Sequence, residues 1–154
     1  EIMRKVIALC LMLCCMFSLC ACSKDEIVEQ YNEALQAVGD NNLTDNKDLQ
    51  GTRELGEDSY VGTYQADYDD FTGKEIVFGG TSLERDAGNE INISCDLQIT
   101  DGTVKLLLQT GANDSQILFD EDGSYSDTIE LPAASNYIVI ESENFTGTVN
   151  LTIK

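Results

Sequence analysis

The chain has 154 residues, with 9 Lys and Arg against 28 Asp and Glu, a net charge of −19, and neither His nor Trp. A surface this acidic repels phosphate backbones, which excludes nucleic acid as a partner. Without His there is no imidazole to serve as base, so the Ser–His and Cys–His nucleophile arrangements are excluded as well.

Met3-Arg4-Lys5 is a short basic opening, with Glu1-Ile2 ahead of it, and an apolar run from 6 to 19 follows, broken only by Ser18. This is the order of parts in an export signal. The apolar stretch 6–21 has 16 residues, fewer than the roughly 18 to 20 that span a bilayer. A removed signal is expected rather than a membrane-crossing helix. The stretch ends in Leu19-Cys20-Ala21-Cys22. That motif resembles the lipobox of bacterial lipoproteins, an aliphatic residue and two small ones before the cysteine that is lipidated. The resemblance implies that residues 1–21 are a discarded signal peptide and that Cys22 carries lipid. The mature protein would then be extracytoplasmic, anchored to the bacterial cell membrane through that lipid.

Cys10, Cys14, Cys15 and Cys20 lie in the part that is removed, which leaves Cys22 and Cys95 and no disulfide framework. The remaining chain has 7 basic and 27 acidic residues, a net charge of −20. Its length suits one domain with a real core.

Residues 23–38 read as a helix. Ile27, Tyr31, Ala34, Leu35 and Val38 share one face at helical spacing, and Ser23 with Glu26 forms a capping box. Gly39 can end the helix in the left-handed conformation. Residues 22–39 are thus expected to be a lipid-anchored helix. Residues 40–59 keep no period, hold few apolar residues and contain Gly51 and Gly56. They are expected to be a polar linker.

From residue 60 the pattern becomes β. Residues 60–68 and 75–78 read as strands joined by the acidic loop Asp69-Asp70-Phe71-Thr72-Gly73. Across 89–100, Ile91, Ile93, Cys95, Leu97 and Ile99 alternate with polar residues, the mark of a half-buried antiparallel strand. Asp101-Gly102 follows as a hairpin turn signal. Val104, Leu106 and Leu108 share a face of the next strand, and shorter strands are expected at 116–120 and 124–131, closed by Pro132. Tyr137-Ile138-Val139-Ile140 is apolar on both parities and should be central, and Val149, Leu151 and Ile153 should face inward near the end. About eight strands without helix-length crossovers predict a mainly β fold: an antiparallel jelly-roll-like β-sandwich over 60–154, preceded by one helix and a linker.

The layout Gly123-Ser124-Tyr125, Ile129-Glu130-Leu131-Pro132-Ala133, Asn136-Tyr137-Ile138-Val139-Ile140 and Gly147-Thr148-Val149-Asn150-Leu151 resembles the last strands of small secreted jelly rolls. Carbohydrate-binding modules and bacterial pre-peptidase C-terminal domains share this look. Phe71-Thr72-Gly73-Lys74-Glu75 with Phe78-Gly79-Gly80-Thr81-Ser82 is similar to small uncharacterised lipoproteins of Gram-positive bacteria. The resemblance implies a binding domain, and it departs from sugar-binding modules in having no Trp.

Tyr64 and Tyr68 lie on one face of the first strand with Phe71 just beyond. They are the candidate ligand-binding residues if they stack on sugar rings, and core residues otherwise. Asp67, Asp69 and Asp70, with Asp120 and Asp122, mark two acidic loops whose oxygens suit Ca²⁺, although neither has EF-hand spacing. Cys95 points inward by parity and reads as a small buried hydrophobe. Asn42, Asn92, Asn113, Asn144 and Asn150 each open an Asn-x-Ser/Thr sequon, which in a bacterial protein is simply a polar position. The expected function is that of a non-enzymatic envelope lipoprotein that binds a glycan, a wall component or another protein. The alternative is a structural spacer or assembly domain of an envelope complex.

Overall fold

The computed structural model describes residues 42–154 apart from Leu83, Ala112 and Asn113. The expected signal segment, Cys22 and the expected helix lie outside the described residues. Six strands follow in order: β1 (Gly51–Leu55), β2 (Gly62–Gly80), β3 (Glu90–Thr110), β4 (Asp114–Phe119), β5 (Gly123–Glu130) and β6 (Asn136–Ile153). All pairings are antiparallel. The order across the sheet is β1-β2-β6-β3-β4, with β5 also paired to β3.

β2, β3 and β6 have 19, 21 and 18 residues, several times the common strand length. They cannot be straight. The Tyr64 hydroxyl bonds Glu75, 11 residues further along the same strand, whereas that many extended residues would span roughly 36 Å. Each long strand therefore doubles back, and one sheet folds into both layers of a sandwich. The first layer holds β1, the first half of β2, the second half of β6, the first half of β3, and β5. The second holds the other halves of β2, β6 and β3, together with β4.

The corner is made by register shifts near residue 70 of β2, residue 102 of β3 and residue 144 of β6. Asp70, Asn144 and Gly102 all have positive φ, at 49°, 48° and 72°. Such residues form bulges that bend a strand. Gly102 also packs against the facing backbone, where an added Cβ would lie 2.1 Å from the Asn144 carbonyl oxygen. Asn144 Nδ2 donates to Asp70 Oδ1 at 3.1 Å, which ties two of the three bends together.

This corner corrects the strand count. The segments 60–68 and 75–78 are one strand, 89–100 and 104–108 are another, and 137–140 and 147–154 a third. The Asp69–Gly73 loop and the Asp101-Gly102 hairpin turn are both bends within strands. A left-handed residue makes a hairpin only if its flanks pair with each other; here they pair with β6 and pass into different layers. The linker expectation is also corrected, because β1 lies inside 40–59 and pairs with β2 from Gly51↔Ala66 to Leu55↔Gly62.

Residues 44–50 seal the edge of the second layer that β1 does not reach. Thr44 N donates to the Ile76 carbonyl and Ile76 N to Thr44 Oγ1, at 3.0 and 2.8 Å. Arg53 donates to the Val77 carbonyl at 3.1 Å, and Leu49 enters the core. An exposed edge would otherwise invite pairing with another chain.

The core lies between the layers. Tyr64, Ile91, Ile93, Cys95, Leu97, Val149, Leu151 and Ile153 of the first layer meet Val77, Phe78, Leu106, Ile138 and Ile140 of the second in one cluster. The period-two alternation of 91–98 holds, with Leu97 buried and Gln98 exposed. Cys95 is buried as parity required, and burial pushes its thiol up to about 12. Tyr137 to Ile140 is buried on both parities and central, as its composition required.

Candidate functional site

Of the candidate ligand-binding aromatic residues, Tyr64 and Tyr68 do not reach the surface. Tyr64 and Tyr68 are 0% and 3% exposed, and half-buried Phe71 packs on Tyr68 with ring centroids 5.6 Å apart. This is the core alternative, and it rules out a stacking platform. The reason lies at the far end of the same strand. Glu75 is 1% exposed and points between the layers. Tyr68 donates to its Oε2 at 2.5 Å, Tyr64 donates to both oxygens at 3.2 Å, and the Gln50 backbone N–H donates to Oε1 at 2.6 Å. A buried carboxylate needs such donors to offset its desolvation. Burial first, and then the carboxylate beside them, hold both phenols above their usual range. The cluster staples the bend of β2 to the incoming segment. Its signal was a lone Glu opening the otherwise apolar run Glu75-Ile76-Val77-Phe78.

The acidic candidates are dispersed. Asp70 serves the corner, and Asp122 Oδ1 accepts the Ile99 backbone N–H at 2.7 Å. Asp69 and Asp120 are exposed. Among the described residues, no group of three or more His, Cys, Asp or Glu side chains is placed to hold a metal ion. Asp67 lines a groove.

That groove lies on the outer side of the first layer. Its volume is ≈ 600 Å³, and its polar side chains come from Gln50, Thr52, Gln65, Asp67, Gln98, Thr148 and Asn150. Strand register sets them in rows: Thr52, Gln65 and Asn150 across β1, β2 and β6, with Asp96 of β3 next in register but outside the lining, and then Asp67, Thr148 and Gln98. The next row out is Thr63, Thr152, Ser94 and Ser126. Alternation makes this inevitable, since the opposite parity of β2, β6 and β3 is in the core. The result is a sheet face of amides and hydroxyls, and the groove has no lysine, arginine or aromatic ring in its lining. Asp96 accepts from Ser124 Oγ at 2.7 Å, and Thr128 Oγ1 donates to Asn92 Oδ1 at 2.7 Å, so neighbouring side chains on this face are already oriented. Reasoning from aromatic and acidic residues missed it. The available signal was Gln65, Gln98 and Asn150 at outward positions of three strands.

A second, smaller cavity of ≈ 310 Å³ lies beside the bend, against Lys74, Lys105, Glu141 and Glu143. Glu141 stands in register between the two lysines and pairs with Lys74. Exposed pairs of this kind contribute little to stability.

Comparison of the sequence with protein-family models and with curated proteins returns no match. Among solved structures, the chain is similar to the CBM22-1–GH10 modules of Clostridium thermocellum xylanase 10B, solved with xylohexaose. The identity is 15% and the TM-score 0.36, over 68% of this chain and 26% of that one. It is also similar to the C-terminal CBM6 of LamC, a laminarinase from Zobellia galactanivorans, at 9% identity and a TM-score of 0.28, over 68% of this chain and 89% of that one. Neither likeness assigns a function to this chain.

Proposed function

We propose that this protein is a cell-envelope lipoprotein whose sandwich is a non-catalytic binding module for a hydroxyl-rich polymer, a glycan above all. The observation that carries the reading is the groove of ≈ 600 Å³ walled by amides and hydroxyls on the first layer. Each amide offers donors and an acceptor together, so adjacent Gln65 and Asn150 suit the paired hydroxyls of a sugar ring. Strands rather than loops hold these side chains, which limits the ordering that binding requires. With no aromatic ring in the lining, hydrogen bonds rather than stacking supply the affinity. Glycoside cleavage needs two carboxyl groups at a set separation. Asp67 is the single carboxylate among the groove's lining residues, which favours binding over hydrolysis. Leu19-Cys20-Ala21-Cys22 supports attachment to the membrane through lipid on Cys22.

The test is binding to a panel of soluble and insoluble polysaccharides by the wild type and by Gln65→Ala/Asn150→Ala. Losing two hydrogen-bonding side chains should weaken binding about tenfold or more while thermal stability stays unchanged. No binding to any polysaccharide, or binding indifferent to the two substitutions, rejects the groove and favours the spacer reading. Separately, Cys22→Ala should abolish lipid labelling and release the protein from membranes. Retention and labelling unchanged in that variant would remove the lipoprotein half of the proposal.

A further inference from the structure

The polar groove carries a charge bias that hydrogen bonding to hydroxyls does not require. Asp67 lines it, with no lysine or arginine in the lining, and among the described residues no ion pair reaches Asp67. Asp96 lies in register with Asn150, and Glu54 stands beside Thr63 in the next row. Further along the same face Glu90 and Glu130 sit directly opposite each other, a pairing of like charges that costs stability. Along these rows the cation is Lys154, which is exposed and pairs through its backbone with Asn92, two rows from Asn150. The face is therefore acidic in its own right, on a chain whose net charge is already −19.

A cleft lined by one sign of charge focuses its field and concentrates ligands of the opposite sign. Covering Asp67 with a neutral ligand strips water from a carboxylate, and a ligand that brings an ammonium to it offsets that cost. A uronate, sulfate or phosphate meets repulsion instead. Asp67 on β2 and Asp96 on β3 lie on either side of β6 and one row apart, on the order of 12 Å. Between them stand Thr148 and Asn150, so a ligand reaching both carboxylates also passes over hydroxyl and amide groups. We propose that the groove selects glycans that carry free amino groups, with Asp67 holding one ammonium and Asp96 able to take a second. This rests on the reading of the groove as a glycan site and names the class of glycan it takes. The amides meet the sugar hydroxyls, and the two aspartates set the preference by charge.

The test compares three oligomers of equal length on the full chain: β-linked glucosamine, its N-acetylated form and a glucuronate. The glucosamine oligomer should bind about threefold or more tighter than the acetylated one, and the glucuronate should bind weakest. The preference should narrow as salt is raised. Asp67→Asn should shrink the ratio of glucosamine to acetylated binding, and Asp67→Lys should turn the order towards the glucuronate. Asp67 is exposed, so both variants should keep the wild-type melting temperature. A ratio indifferent to Asp67, or no binding of the glucosamine oligomer, overturns the proposal. If the acetylated oligomer or another neutral polysaccharide still binds and loses affinity in Gln65→Ala/Asn150→Ala, the groove remains a glycan site and the charge selection alone has failed. A lysine oligomer that binds as tightly as the glucosamine oligomer, with the same dependence on Asp67, overturns the glycan in favour of a basic peptide.

Discussion

On the outer side of the first layer, β2, β6 and β3 present Gln65, Asn150 and Gln98 to solvent. On the outer side of the second layer, the same three strands present Ile76, Val139 and Leu107, of which Val139 and Leu107 are buried. The difference arises within each strand. Around 147–153 one parity is apolar and the other polar, so one face can remain wet; around 136–140 both parities are apolar, so both faces must be covered. A strand that turns a corner can thus carry two contracts with solvent, and the wet half is where a ligand has room.

The largest effect that would break this contrast is on stability. Leu107→Ala, although on an outer face, should cost about 2 to 5 kcal/mol, as for a core leucine. Gln98→Ala, outward on the first layer, should cost less than about 0.5 kcal/mol. Chemical denaturation of the two variants measures both, and equal losses would show that the layers do not differ in this way.

Glu75 sits between the layers, and Glu75→Gln sharpens the picture of how they are held together. An amide supplies one acceptor where the carboxylate supplies two. At least one of the phenols or the Gln50 N–H is then left poorly paired, for a loss of about 1 to 3 kcal/mol. A denaturation midpoint unchanged from wild type would show that the cluster contributes nothing to joining the halves of β2.

The alkaline limb of stability follows from the same interior. Cys95 and the Tyr64 and Tyr68 hydroxyls have native pKa values raised above their ordinary 9.0 and 10.0. The unfolded chain therefore releases these protons first. Their contribution is complete below pH 9 and falls as pH rises through 9 for the thiol and 10 for the phenols. Tyr64→Phe/Tyr68→Phe should flatten the decline above pH 10, as followed by urea midpoints at stepped pH. A decline of unchanged steepness would place its source elsewhere.

The smallest expected effect concerns cations. Millimolar Ca²⁺ and Mg²⁺ at matched ionic strength should raise the melting temperature slightly and equally, by screening a strongly acidic surface. A shift specific to Ca²⁺ that Asp67→Asn removes would make the polar face a metal site as well.

Much of the fold was legible because side-chain alternation is local. Ile91 through Leu97, Val104 through Leu108 and Val149 through Ile153 all announced their inward faces and kept them. The candidate site was less so. Tyr64 and Tyr68 have the parity of a core face, but whether an aromatic face looks inward or outward depends on what stands across from it. That partner, Glu75, is brought there by a fold in the strand. The groove was obscured for the opposite reason: each of its amides looks like an ordinary solvated strand position, and only the pairing of four strands sets them side by side.

By itself the sequence determined the β class, the antiparallel character and the inward residues of each segment, because these follow from a period of two and from turn chemistry within a few residues. It also carried the Leu19-Cys20-Ala21-Cys22 stretch on which the proposed lipid attachment rests, which is read as linear text. Only the tertiary structure decided that Asp70, Gly102 and Asn144 bend strands rather than end them, that the polar stretch before residue 60 contributes an edge strand, and which outer face stays open. Those outcomes depend on contacts between residues far apart in the chain. A left-handed residue or a polar side chain has the same local preference whether its flanks pair with each other or with a third strand.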